Sequence, residues 1–326
     1  MKMIVMRPVL RAVVAGVATA AVVTLAGCGT SAADDPAGSG GKLNVVASFY
    51  PLEFIAKTVG GDAVHVTTLT APGVEPHDLE LTPKQVGHIA QAKLVLFEGN
   101  LQPAVDEAID QNAKKSAFDV ASAASLEATG ADFEEHPEDG AGPAVKPAAY
   151  SEDALDPHFW LDPVRYADVV KAITDKLVET DPANADGYRQ RSAGMLTDVT
   201  KLDNDFKTGL ADCKLKTFVT SHQAFAYLAK RYGLQMVGIA GFTPDSEPTP
   251  QRIREVQDIV RDQKVSTIFY EELVSPKVAE SIARDVHVKT AVLSPIEGLS
   301  DANSQESYVS LMRANLQELR KANSCA

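Results

Sequence analysis

Three histidines sit in short phrases whose neighbours suit coordination chemistry: His77 in GVEPHDLELTP, His158 in DPHFWLDP and His222 in FVTSHQAFAYLAKRYG. A fourth phrase, LSPIEGLS, offers the carboxylate of Glu297. Three imidazoles and one carboxylate form a natural tetrahedral set for a borderline-soft divalent ion, with zinc the first choice. Glu80 and Asp162 stand close enough in sequence to accept a hydrogen bond from the far side of an imidazole; helix capping is the competing role for each. Glu271 is read as another such outer acceptor in preference to a spare ligand. His65, His88 and His287 lie in strand, helix or turn settings that ask for no ligand role. The four ligands are far apart in the chain, so only a fold can gather them.

The elements that must do so alternate regularly. The first half reads as strands at 43–49, 64–70, 93–99 and 117–120, with helices starting from Pro51, Pro83 and Pro103. The second half repeats the rhythm, with strands at 216–221, 234–241, 266–272 and 289–295. Its helices run through Tyr232, from Pro250, from Pro276 and over about 303–321. Strands separated by helices of this length indicate parallel βαβ units, and proline suits a first helical turn, where its missing N–H is not needed. Between the halves lie two helices broken at Asp181-Pro182. The second, over 182–211, would reach about 45 Å and carries an apolar stripe of Met195, Val199, Leu202, Phe206 and Leu210.

The fold expected is therefore α/β, with two similar lobes, each a parallel sheet flanked by helices, joined by one long rigid helix. A single large sheet with a long crossover is the alternative. The lobes are expected at 42–163 and 213–326, with linking helices over 164–212 and an acidic surface loop at 131–155. That loop holds His136 among carboxylates, read as a solvated charge run rather than a cation trap. Ligands in open parallel sheets collect at the carboxyl ends of strands. His77, His222, Glu271 and Glu297 all fall there, which points to the cleft between the lobes.

The N-terminus reads as a targeting segment over 1–27, with Lys2, Arg7 and Arg11 ahead of an uncharged run too short for a comfortable membrane span. Leu25-Ala26-Gly27-Cys28 resembles the lipobox of bacterial lipoproteins, which implies cleavage before Cys28 and a lipid on its sulfur; an ordinary signal peptide is the alternative. Residues 28–41 then form a flexible tether. Without the three leading cations the net charge moves from −13 to −16, a balance that disfavours nucleic acid as a partner. Cys213 and Cys325 remain, either as a disulfide, suited to an exported chain, or as two free thiols.

Taken together, PHDLELTP, DPHFWLDP, TSHQAFAYLAKRYGL, IFYEELVSPKVAE and SPIEGLS resemble the metal-ion substrate-binding lipoproteins of bacterial ABC importers, over nearly all of 42–326. The resemblance implies two α/β lobes on a long helix, an ion between them, and His77, His158 and His222 as ligands. It further implies a monomer, anchored on the outer face of the cytoplasmic membrane, that serves an ABC permease. Zinc-type members use a Glu in a Pro-Leu-Glu-Gly-Leu phrase, and Pro295-Ile296-Glu297-Gly298-Leu299 is similar. Other members place an Asp near Ser294; here that role passes to Glu297 or to water. Zinc members often carry a His-rich loop where 131–155 has one histidine. Manganese relatives usually replace the third histidine by a carboxylate, so His222 favours zinc over a manganese or iron receptor. The rival from another class is a zinc hydrolase, which needs an open coordination position and a general base; no HExxH phrase supports it.

Overall fold

The computed structural model describes residues 41–128, 155–244, 246–302 and 304–326. The targeting segment, Cys28, the tether up to residue 40, and residues 129–154 with His136 lie outside the described residues.

Among the described residues, eight strands form two four-stranded parallel sheets. The first takes β1 (Leu43–Ala47), β2 (Val64–Thr68), β3 (Leu94–Phe97) and β4 (Ala117–Asp119), in the order β2-β1-β3-β4. The second takes β5 (Thr217–Thr220), β6 (Gln235–Gly238), β7 (Thr267–Tyr270) and β8 (Lys289–Val292), in the matching order β6-β5-β7-β8. The two orders correspond strand for strand, so two lobes of one topology replace the single-sheet alternative.

The helices are α1 (Tyr50–Gly60), α2 (Pro83–Gln91), α3 (Pro103–Asn112), the short α4 (Ala121–Ala124), α5 (Pro163–Thr180), α6 (Ala185–Gly209), α7 (Ala226–Tyr232), α8 (Pro250–Asp262), α9 (Lys277–Val286) and α10 (Tyr308–Ala322). The starts at Pro83, Pro103 and Pro250 fall where the prolines predict, and Thr82 and Thr249 cap their helices through side-chain oxygens. The chain breaks at Asp181 as expected, but Pro182–Asn184 is a 3-10 turn, so α6 has 25 residues, a rod of about 38 Å. The last helix begins later than its composition suggests, because Ser307 and Ser310 form a reciprocal capping box that fixes its first turn.

Alternation along the strands decides which core each side chain joins. Val45, Ala47, Leu94 and Leu96 face inward with Phe218 and Phe269 of the other sheet, and with Tyr166, Ile173, Met195, Val199, Leu202 and Phe206 of α5 and α6. Their neighbours Val46 and Val95 point outward into a separate cluster with Ile89, Val105 and Ile109; Val219 and Ile268 do the same with Val256 and Ile282. One apolar cluster thus runs through both lobes and the linking helices, and each sheet has its own outer helix pair. A cleft floored by a shared core has little freedom to hinge widely. At its far end Cys213 and Cys325 are joined as a disulfide, 112 residues apart in sequence.

Candidate metal site

All strands run parallel, so their carboxyl ends emerge on one side of each sheet, and the site is built from the segments that follow them. Beyond β2 the chain turns at Gly73, whose φ of +80° suits glycine, and its N–H donates to the carbonyl of Leu299 at 2.7 Å. That bond sets the His77 loop against the Glu297 loop. Gln102 holds the same loop from below, donating to Thr70 Oγ1 at 3.0 Å and to the Pro76 carbonyl at 3.1 Å. His158 precedes a 3-10 turn, Phe159–Leu161, whose Trp160 is fully buried and donates from Nε1 to the Pro295 carbonyl at 2.7 Å.

His222 lies two residues past β5. The helix it was expected to open begins only at Ala226, leaving a buried bend in which Thr220 Oγ1 donates to the His222 carbonyl at 2.7 Å. Glu297 follows β8. Asn315 of α10 fixes the approach by paired bonds to the Ser294 backbone at 2.9 and 2.6 Å, and Ile296 takes a φ of +58°. That conformation is strained for a β-branched residue and turns the next side chain inward.

The structure brings His77, His158, His222 and Glu297 together, each offering one atom, all within 4.8 Å of one another. His158 Nε2 and His222 Nε2 are 3.3 Å apart, and Glu297 Oε1 lies 3.5, 3.3 and 3.2 Å from Nε2 of His77, His158 and His222. A tetrahedral ion with bonds of about 2.0–2.1 Å needs ligand atoms separated by roughly 3.3–3.4 Å. Four of the six edges, at 3.2–3.5 Å, lie within about 0.1 Å of that range. His158, His222 and Glu297 are essentially fully buried, and His77 keeps 9 % exposure. His77 Nε2 and Glu297 Oε1 are buried without a hydrogen-bond partner, as expected of atoms that await an ion.

The remaining residues named from sequence divide cleanly. Glu271 stands behind His222, with Oε1 2.8 Å from Nδ1 and 2.5 Å from the Ser221 hydroxyl that donates to it. Asp162 touches no imidazole among the described residues. It caps α5 by accepting from Val164 N at 2.8 Å, and it pairs with Arg231 at 3.2 Å. Glu80 is exposed and makes no bond to a histidine among the described residues. The outer acceptor of His158 is instead Asp156, fully buried, whose Oδ1 takes Nδ1 at 2.7 Å and the backbone N–H at 2.9 Å. The spacing Asp-x-His was the available signal, since a carboxylate two residues back can reach both groups. Glu75, also passed over, accepts from the N–H groups of His77 and Asp78.

Nδ1–H donated to a carboxylate makes Nε2 the nitrogen that faces the shared point, where an ion can take the place of its proton. The electrostatics follow from the same contacts. Burial opposes charge on His222, yet Glu271 and Glu297 hold its imidazole well above the ordinary value. Burial likewise opposes charge on His158, and Asp156 and Glu297 outweigh it, raising its pKa. Burial would raise the Glu297 carboxyl, but His222, His158 and His77 keep it well below the usual range. Burial and the Glu297 charge push Glu75 up to about 8. The result is a dry pocket of one anion among three imidazoles, which suits a divalent cation that displaces protons.

Known proteins resemble this chain in sequence and fold. The chain is 34 % identical over 311 residues to the high-affinity zinc uptake system protein ZnuA of Bacillus subtilis, covering 93 % of this chain and 95 % of that one. It is 35 % identical over 289 residues to the zinc-binding lipoprotein AdcA of Streptococcus pneumoniae, covering 86 % of this chain but 56 % of AdcA, so it spans only about half of that relative. Among solved structures, a mutant of the laminin-binding adhesin of Streptococcus agalactiae superposes with a TM-score of 0.74 at 32 % identity, over 86 % of this chain and 99 % of that one. A family model described as zinc-uptake complex component A, periplasmic, matches residues 45–322, and the chain belongs to that family, ZnuA.

Proposed function

We propose that this chain captures Zn²⁺ outside the cytoplasmic membrane, with His77, His158, His222 and Glu297 as its ligands, and passes the ion to the permease of an ABC importer. The observation that carries the reading is the convergence of four donor atoms within 4.8 Å of one another in a buried pocket, four of their six separations being 3.2–3.5 Å. Zinc is favoured over manganese or iron because three of the donors are imidazoles. The protein breaks no bond in a substrate: Glu297 fills the fourth position, leaving none open for a reactive water. A lipid on Cys28 would hold the monomer at the membrane surface. No helix among the described residues is long and apolar enough to cross a membrane. The lobes correspond to residues 42–163 and 213–326, with the linking helices between them.

Elemental analysis and titration with zinc against manganese test this reading. One zinc per chain, not displaced by equimolar manganese, is the expected result. Unchanged affinity in a variant with His77, His158 and His222 all replaced by alanine would end it.

A further inference from the structure

A second set of contacts ties the lobes together directly behind His158. Tyr227, 2 % exposed, stands on α7, the helix that follows His222. Its hydroxyl donates to the backbone carbonyl of Asp156 at 2.9 Å and accepts from the backbone N–H of Glu127 at 2.8 Å. Asp156 N–H in turn donates to the Glu127 carbonyl at 2.9 Å. The Arg165 guanidinium lies 4.3 Å from the Tyr227 ring centroid. The Glu127 carboxylate pairs with Arg165 and, at 2.8 Å, with Lys230, one turn along α7 from Tyr227. A helix of the C-terminal lobe thus grips the two N-terminal-lobe segments that carry residues 127 and 156, which meet beside the isolated bridge between Ala128 and Leu155.

The same Asp156 whose carbonyl receives the phenol presents its carboxylate to His158. Phenol, Asp156, imidazole and the shared point form one buried, continuous path. We propose that the Tyr227 hydroxyl is a positioning residue for the ion site: it fixes the Asp156 backbone, and thereby keeps His158 Nε2 within a tetrahedral edge of His222 Nε2 across the cleft. This rests on the reading that the two imidazoles hold zinc. The ring alone cannot do this work. Phenylalanine would keep its volume and the Arg165 stack, but would leave the Asp156 carbonyl and the Glu127 N–H without the group that joins them. The change acts on the aim of a ligand rather than on the core.

The test compares the full chain with its Tyr227→Phe variant, titrated with zinc and then with Co²⁺, whose visible bands report ligand geometry. The variant is expected to bind zinc about tenfold more weakly, as is usual when an outer partner of a metal-ligating histidine is disturbed. Its Co²⁺ bands should shift and weaken. Unchanged zinc affinity and unchanged Co²⁺ bands would overturn the inference, whatever happens to the melting temperature. If Tyr227→Phe does not fold, 3-fluorotyrosine placed at position 227 reads the same tie, because it keeps the ring and changes the donor and acceptor strength of the hydroxyl that joins Asp156 to Glu127. A measurable change in zinc affinity with a shift of the Co²⁺ bands supports the inference; no change in either overturns it. A wild-type chain that binds neither ion would instead break the site itself, and this inference with it.

Discussion

His158 and His222 are held from behind, whereas His77 is not. The first two each give Nδ1 to a buried carboxylate, Asp156 or Glu271, at 2.7 and 2.8 Å. The only carboxylate within ion-pair distance of the His77 ring, among the described residues, is Glu297 at 3.5 Å. His77 is also the most exposed of the four, on a loop pinned through its backbone. On the proposed reading, one half of the site is held as a template and the other is held less tightly. An outer acceptor fixes which ring nitrogen faces the ion and the angle of the ring, so His158 and His222 would need less ordering on binding than His77.

The sharpest way to break this contrast is to remove ligands one at a time. His158→Ala or His222→Ala should weaken zinc binding by more than about 100-fold, the upper end for loss of a mere outer partner. His77→Ala should cost less than either, because solvent can reach its place. Calorimetry ranks the three, and equal losses would erase the distinction between the two halves.

Neutralising the supports comes next. Asp156→Asn and Glu271→Gln should each cost about 10- to 100-fold in zinc affinity while the chain stays folded. The same measurement on Glu80→Gln should show no change, since that side chain is exposed and bonded to no histidine.

Acid–base behaviour sharpens the contrast further. The folded-state pKa of His222 lies well above 6.5, so its contribution to the stability of the metal-free protein is fully present below 6.5 and is lost as pH rises through the folded value. Glu297 works in the opposite sense: its pKa is depressed, so its contribution is present above 4.5 and lost as pH falls. The metal-free melting temperature should therefore decline above neutrality. Zinc affinity should climb over that same range, because the ion must displace protons from His222 and His158. Parallel trends in the two curves would refute the assignment of raised imidazoles to the template half.

The smallest effect on binding belongs to the cysteines. Reduction of Cys213–Cys325 closes off no ligand and should leave zinc affinity unchanged. It should lower stability by as much as about 4–5 kcal/mol in the chain-entropy account, read by denaturant titration.

Much of this was legible before any coordinates. Apolar β-rich runs, helices opening at Pro83, Pro103 and Pro250, and the break at Asp181-Pro182 are local signals, because backbone sterics act over a few residues. The four candidate donors were legible too, three as residue types past strand ends and His158 from its Asp-Pro-His phrase. The supports were less so. Asp162 looked as good as Asp156 by distance along the chain, but it turns away to cap α5 and pair with Arg231. The strand at 216–221 ran on in pattern past its real end at Thr220, because the bend after it is also buried, and burial alone does not distinguish strand from loop.

Sequence by itself determined the alternation of strands and helices, the repeat of one topology in two halves, and a candidate donor group of three imidazoles and a carboxylate. Tertiary structure alone decided which carboxylates stand behind those imidazoles, and that both sheets share a core with the linking helices. It also decided that Tyr227 reaches across the cleft. The physical reason is range. Dihedral preferences and side-chain alternation are properties of neighbouring residues, whereas a hydrogen bond between positions 71 or 100 residues apart exists only once packing has fixed both ends.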